Sequence, residues 1–378
     1  VATVVNVSGQ GAFTTSVAAT PYANHTPADL PKFSACPVGG IPAAGFVDIT
    51  STHVDCIKYY GITKGTTDTT FSPLDKVTRW QMALFLTRMV AATGTVLPDG
   101  STQGFTDIGN YSTEIQTAIN QIKQLGITIG KTTTTYAPAD DVTREEMALF
   151  ITRLLKQAVA GPGGTTNYVT GIAGVKEIKS NDLDFNFTDV PYLSMTMESR
   201  NAIVNLWNLG VTDVQTSTLF EPLVKITRKS MATFMTNALA HTNARPAGLV
   251  FQASAYRAPA SPLVYFSVTH RDTNLNPVSG TPVDTFKYTQ SVSTTVSKYD
   301  TNGFCTNYVF ATPVGNSKCR VDSADPKTDA QGNLAVFSDV IPALSTLEYY
   351  AWTTNPTTIY DNDIFSSLLK KITISTYS

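Results

Sequence analysis

What this chain has little of narrows the field first. Charged residues make up only 15% of it and the net charge is −2, so no broad basic face is available to follow a phosphate backbone, and nucleic acid is not an expected partner. No apolar run reaches the roughly 20 residues a membrane-spanning helix needs, so membrane insertion by a helix is not expected either. The four histidines, His25, His53, His241 and His270, are scattered, and the four cysteines contain no Cys-x-x-Cys pair. No metal or cofactor is therefore expected. No Ser/His/Asp, Cys/His or close carboxylate pair stands in a motif context, so no catalytic residue is assigned and the chain reads as a non-enzyme. It begins with Val1 and has no signal-like apolar stretch at its front, the pattern of a secreted chain whose targeting segment has been removed. In that setting Cys36 with Cys56, and Cys305 with Cys319, read as two short-loop disulfides.

What is present is repetition. Three times a Thr-Arg dipeptide opens the same apolar pattern: Thr78-Arg79 before Met82, Phe85, Leu86 and Met89; Thr143-Arg144 before Met147, Phe150, Ile151 and Leu154; Thr227-Arg228 before Met231, Phe234, Met235 and Ala238. The spacing i, i+3, i+4, i+7 predicts a helix starting at each Thr. Upstream lie Phe71-Ser72-Pro73, Tyr136-Ala137-Pro138 and Phe220-Glu221-Pro222. Further back, short apolar helices end at Gly61, Gly126 and Gly210, where glycine provides the left-handed stop. Each unit opens with Phe-x-Asp, at Phe46 to Asp48, Phe105 to Asp107 and Phe187 to Asp189. Units this small cannot bury their apolar faces alone, so the three are expected to form one helical body.

The order Phe-x-Asp, apolar helix, Gly-Ile-Thr, aromatic-x-Pro, Val-Thr-Arg, Met-Ala resembles the S-layer homology domain, in three tandem copies over residues 46–100, 101–160 and 187–243. The resemblance implies a pseudo-threefold helical trimer of repeats. It also implies anchoring to an anionic cell-wall polysaccharide in grooves between copies, on the outside of the cell.

The residues themselves add a narrower reading. Thr78 with Gln81 and Thr143 with Glu146 have capping-box spacing, whereas Thr227 with Ser230 has half of it. An arginine directly after a cap is disfavoured by the helix dipole by a few tenths of a kcal/mol, so Arg79, Arg144 and Arg228 need another reason. Two stand open: a guanidinium beside helix-start amides receives a carboxylate, ketal acid or phosphate of a glycan, or each arginine pairs inside its own unit with Asp48, Asp107 or Asp189. Trp80 either stacks on a sugar face or packs internally. Gly65 and Gly130 permit close backbone approach; Val214 stands at that place in the third copy, so Arg228 is expected to contribute less than Arg79 and Arg144.

Residues 161–186, opening on Gly161-Pro162-Gly163-Gly164, read as a breaker-rich insertion, a contact or a spacer. Ser180 to Asp184 and Asp361 to Asp363 are oxygen-rich but lack the EF-hand register; they read as solvated acidic loops, with structural calcium as the alternative. Beyond Pro246 the period becomes alternating, with strand-like runs at 249–251, 263–269, 285–289, 334–337, 348–353 and 372–376. Residues 247–378 resemble bacterial immunoglobulin-like domains of the invasin and intimin type, which implies a β-sandwich without catalytic residues. The fold class is thus multidomain α + β.

Residues 1–45 form a strand-forming arm, with runs at 4–7 and 12–17, whose unpaired backbone is expected to join a sheet of an adjacent copy. Together these readings describe an extracellular, self-assembling surface-layer or filament subunit, a homo-oligomer. A monomeric wall-anchored adhesin is the alternative.

Overall fold

The structure, a computed structural model, describes residues 4–8, 16–18, 33–162, 168–170, 176–178, 187–190, 195–214, 218–254, 263–289, 295–298, 308–309, 321, 323, 325–340, 346–354 and 370–375. In chain order the elements are β1 (Val4–Ser8), β2 (Ser16–Ala18), α1 (Thr52–Tyr59), α2 (Arg79–Ala92), α3 (Thr113–Gln124), α4 (Arg144–Gln157), β3 (Tyr168–Thr170), β4 (Lys176–Ile178), α5 (Met197–Asn208), α6 (Arg228–Leu239), β5 (Gly248–Ala253), β6 (Leu263–Arg271), β7 (Asp284–Thr289), β8 (Thr295–Lys298), β9 (Tyr308–Val309), β10 (Phe337–Val340), β11 (Thr346–Trp352) and β12 (Lys370–Ser375). Two compact units result, one helical over 41–244 and one built of sheets from 245–378 with the N-terminal strands.

In the helical unit the apolar stripes read from the sequence are the buried ones. Met82, Phe85, Leu86 and Met89 of α2, Met147, Phe150, Ile151 and Leu154 of α4, and Met231, Phe234, Met235 and Ala238 of α6 are all buried. Helix starts follow the caps. Glu146 and Thr143 close a full capping box, with Glu146 N to Thr143 Oγ1 at 3.1 Å and Thr143 N to Glu146 Oε2 at 2.9 Å. Ser230 N reaches Thr227 Oγ1 at 3.2 Å, the expected half box. The first copy forms the same box more loosely: Gln81 Oε1 accepts from Thr78 N at 3.0 Å, while the buried Thr78 hydroxyl faces the Gln81 amide without a close hydrogen bond. Gly61, Gly126 and Gly210 take φ of 67°, 69° and 66° at the stops.

Between helices the backbone joins the three segments in a cycle. Val142 N donates to Val77 O at 2.8 Å, Ile226 N to Val142 O at 2.8 Å, and Val77 N to Ile226 O at 3.3 Å. Helix packing runs the same way round, with α2 on α3, α4 on α5 and α6 on α1. The first segment has the shortest opening helix, 8 residues against 12 in α3 and α5, as its short Asp48 to Val54 interval implies. Cys56 lies on that helix, and both it and Cys36 are disulfide-bonded. Cys305 and Cys319 fall outside the described residues, as do both candidate calcium loops. The insertion contains an antiparallel hairpin, β3 with β4, that its breaker-rich composition did not announce.

The other unit has two antiparallel sheets, one in the order β2-β1-β12-β11-β7-β8-β9 and one in the order β10-β6-β5. Phe251, Val264, Phe266 and Val268 of the smaller sheet share a core with Leu347, Tyr349, Ala351, Ile372 and Ile374 of the larger. Alternate residues of each strand point inward, which accounts for the period-2 pattern. One expected strand is displaced: Leu334 is buried but precedes β10, which begins at Phe337.

The N-terminal arm corrects the sequence reading. Rather than pairing with an adjacent copy, β1 lies antiparallel between β2 and the same chain's β12, with Val4 opposite Ser375 and Val7 opposite Ile372. The unpaired backbone that motivated an intermolecular partner finds one at the far end of its own sequence. Removing residues 1–18 should turn β12 into an edge strand; we expect faster amide exchange throughout Lys370–Ser375 and a lower Tm, measured by hydrogen exchange and calorimetry. Unchanged protection of β12 would contradict this pairing.

Candidate functional site

Each segment carries the same strained corner. The residue between the aromatic and the proline, Ser72, Ala137 or Glu221, sits at φ of 55°, 56° or 59°, which disfavours any side chain. The aspartate of the opening Phe-x-Asp holds it there. Asp48 accepts from Phe71 N at 2.9 Å and Ser72 N at 2.7 Å, Asp107 from Tyr136 N and Ala137 N at 2.9 and 2.7 Å, and Asp189 from Phe220 N and Glu221 N at 2.9 and 2.7 Å. The Phe71 amide foremost, with the Ser72 amide and more weakly Arg228, keeps the Asp48 carboxyl below its ordinary range. The three aspartates are therefore backbone clamps. Among the described residues none of them pairs with the arginine of its own unit, one of the two sequence readings.

Gly65 and Gly130 serve the same loop. At φ of 91° and 89°, a Cβ on Gly65 would lie 2.3 Å from Thr67 O and 2.6 Å from Phe46 Cε1, and one on Gly130 2.4 Å from Thr132 O and 2.7 Å from Phe105 Cε1. The close approach these glycines permit is to their own chain. In the third segment the local bond reverses: Thr63 and Thr128 accept from the Gly65 and Gly130 amides at 3.2 Å, whereas Thr212 donates to Val214 O at 3.0 Å.

The three arginines enter the next segment around the cycle. Their exposures are 3%, 6% and 3% for Arg79, Arg144 and Arg228, so each guanidinium needs internal acceptors. Arg79 Nε donates to Tyr136 O at 2.8 Å, Arg144 Nε to Phe220 O at 2.7 Å and Arg228 Nε to Phe71 O at 2.6 Å. Each guanidinium also lies over two rings of that next segment: Tyr136 and Phe150 at 4.7 and 5.4 Å, Phe220 and Phe234 at 4.8 and 5.7 Å, Phe71 and Phe85 at 4.7 and 5.5 Å. Trp80 is half-buried beside its seam, its amide donating to Pro138 O at 3.0 Å.

Beyond this shared frame the seams differ, through residues the sequence reading gave no such role. Arg79 Nη1 meets Glu146 at 3.0 Å, and Lys131 meets the same oxygen at 2.6 Å. Arg144 forks onto Asp213 with two bonds of 2.7 Å. Arg228 has no such acid: its Nη2 is buried without a hydrogen-bond partner among the described residues. Burial draws the Arg228 guanidinium's pKa down, opposed by the fields of Asp75 and Asp48. Farther along, Arg88 pairs with Glu114 at 3.1 Å and Arg153 with Glu198 at 2.8 Å, whereas the third seam has Thr236 donating to His53 O at 3.0 Å. The expectation that Arg228 is the weakest of the three rested on Val214; in the geometry, Arg228 is the one with an unfilled donor. The signal was present at two aligned positions, Gln81, Glu146, Ser230 and Lys64, Ile129, Asp213.

Two outcomes follow. Gly130→Ala should cost more than about 1 kcal/mol, read from urea unfolding, because the backbone there is left-handed and walled by Thr132 O. Burial raises the Glu146 pKa, but Lys131, the Thr143 amide and Arg79 together outweigh it and hold the carboxyl below its ordinary 4.5. A depressed folded pKa gives stability that is complete above 4.5 and lost as pH falls through the folded value. Glu146→Gln should therefore cost about 2 kcal/mol at neutral pH, with the difference from the parent chain shrinking below pH 4.5.

Comparison with known proteins bears on this unit. Residues 56–83 and 104–148 match the S-layer homology domain. A stretch of 90 residues, 24% of this chain, is 39% identical to an endoglucanase of Bacillus sp. (strain KSM-635). The chain spans only 9% of that relative's length. Among the described residues no helix is long and apolar enough to cross a membrane. An S-layer homology domain binds cell-wall polymers and implies a protein held at the cell surface.

Proposed function

We propose that the helical unit is three S-layer homology copies, 46–100, 101–160 and 187–243, closed into a pseudo-threefold body that attaches the chain to an anionic polysaccharide of the cell wall. The observation that carries this is the cycle of backbone bonds among Val77, Val142 and Ile226, repeated by the three arginines reaching Tyr136, Phe220 and Phe71. Only the first two segments contain the family match, and the third follows the same hydrogen-bond rules. The sheet unit is an immunoglobulin-like module, a reading supported by two antiparallel sheets sharing one core. The role is structural rather than catalytic, in an extracellular surface-layer or filament subunit.

One observation favours the second reading, a monomeric wall-anchored display protein: β1 is paired on both sides within its own chain, so it would join copies only after leaving its own sheet. Electron microscopy of the native surface separates the two, since a periodic array requires self-assembly. Attachment is tested by sedimenting the full chain with purified cell walls. We expect co-sedimentation that is lost when the anionic polymer is stripped from the walls by mild acid; equal retention on stripped walls would refute the ligand class.

A further inference from the structure

The three seams have the same aromatic cradle but different contents, and the difference assigns them different roles. In the seam between the first and second segments the arginine's outer nitrogen is occupied by Glu146, a residue placed four before Phe150 on α4. In the seam between the second and third it is occupied by Asp213, seven residues before Phe220. Both positions have sequence counterparts in the first segment, which Arg228 enters. Gln81 stands four before Phe85, and Lys64 stands seven before Phe71, the two rings over which Arg228 lies. Gln81 is neutral and its Oε1 already accepts from Thr78 N; Lys64 is a cation. Nearby carboxylates do not substitute: Asp48 is clamped on the Phe71 and Ser72 amides, and it is the Asp75 carbonyl that takes the Arg228 amide.

A buried guanidinium nitrogen without an acceptor is costly, and two other copies of the same frame show what fills it, a carboxylate. We infer that, among the described residues, the seam of Arg228 is the one ligand seat, taking one oxyanion of an acidic saccharide where the other seams hold the protein's own carboxylates. Glu146 and Asp213 act as built-in occupants that close the first two seams to ligand. Arg228 Nη2 offers a charge-assisted hydrogen bond to an oxyanion, stronger than the one a neutral sugar oxygen would accept. This deepens the proposed wall attachment and rests on it.

Gln81→Glu puts a carboxylate at the position Glu146 holds in the neighbouring seam and is the decisive variant. Titration of the full chain with glucuronate, with inorganic phosphate and with neutral N-acetylglucosamine, followed by calorimetry, should show one saturable equivalent for an anion and none for the neutral sugar. Glucuronate over phosphate assigns a carboxylate, the reverse a phosphoryl group. Gln81→Glu should weaken that binding at least tenfold and raise the Tm, because the variant fills its own seat. Ser230→Glu adds the same charge at the equivalent place in the seam Asp213 already fills, and should leave binding unchanged. No saturable anion binding, two or more equivalents, or equal weakening by both variants would overturn the inference. Wall sedimentation of the same proteins keeps the two readings apart: retention of Gln81→Glu on walls leaves attachment standing while removing this seat, and a parent chain that binds glucuronate but not walls does the reverse.

Discussion

A guanidinium removed from water has to find acceptors, and in the helical unit that requirement determines which segment follows which. Arg79, Arg144 and Arg228 are each almost fully buried, and each finds its carbonyl in the aromatic-x-Pro corner of the next segment. That carbonyl is correctly aimed only because the corner holds a left-handed residue, and the corner is held by two amide bonds to an aspartate. The chain of dependence runs from aspartate to strained corner to carbonyl to arginine to neighbouring segment. The first links lie within one segment, though 23 to 32 residues apart, and the last joins two segments. The last closes the cycle, because Arg228 reaches back to Phe71, 157 residues earlier.

The division between what the sequence revealed and what it hid follows that range. Helix faces, caps and glycine stops depend on neighbours within a turn or two, and the stripes at Met82, Met147 and Met231 are the buried ones. The clamp role of Asp48, Asp107 and Asp189 was not legible because the aspartate clamps and the arginines belong to the same motif but serve different segments. Opposite charge in one unit invites pairing on paper; the amides of the strained corner claim the carboxylates first. Asp213 was hidden for a related reason, since its partner Arg144 is 69 residues away and nothing local marks it. The placement of β1 was harder still: its register partner Ile372 comes near the other end of the chain, and period-2 patterning names a strand without naming its neighbour.

The closure of the sheet by β1 also changes what any assembly must rely on. A strand already flanked by β2 and β12 has both backbone edges engaged, so it cannot serve as a free connector without first opening its own sheet. For a surface with few charges, contacts between copies meet little electrostatic resistance.

Repetition with selective change is the physical basis on which a site can specialise here. The positions that hold the backbone, aspartate, aromatic, proline and arginine, recur in all three segments because each is tied to a strained corner or a buried donor. The third residue of the second helix and the loop residue after Gly-x-Thr carry no such duty: Gln81, Glu146, Ser230 and Lys64, Ile129, Asp213 differ without disturbing the cycle. Those are the side chains that decide whether a seam is filled from within. A chain that builds the same cradle three times and furnishes two of them with its own carboxylates has separated the role of holding the body together from that of holding a ligand, and Arg228 is where the two roles meet.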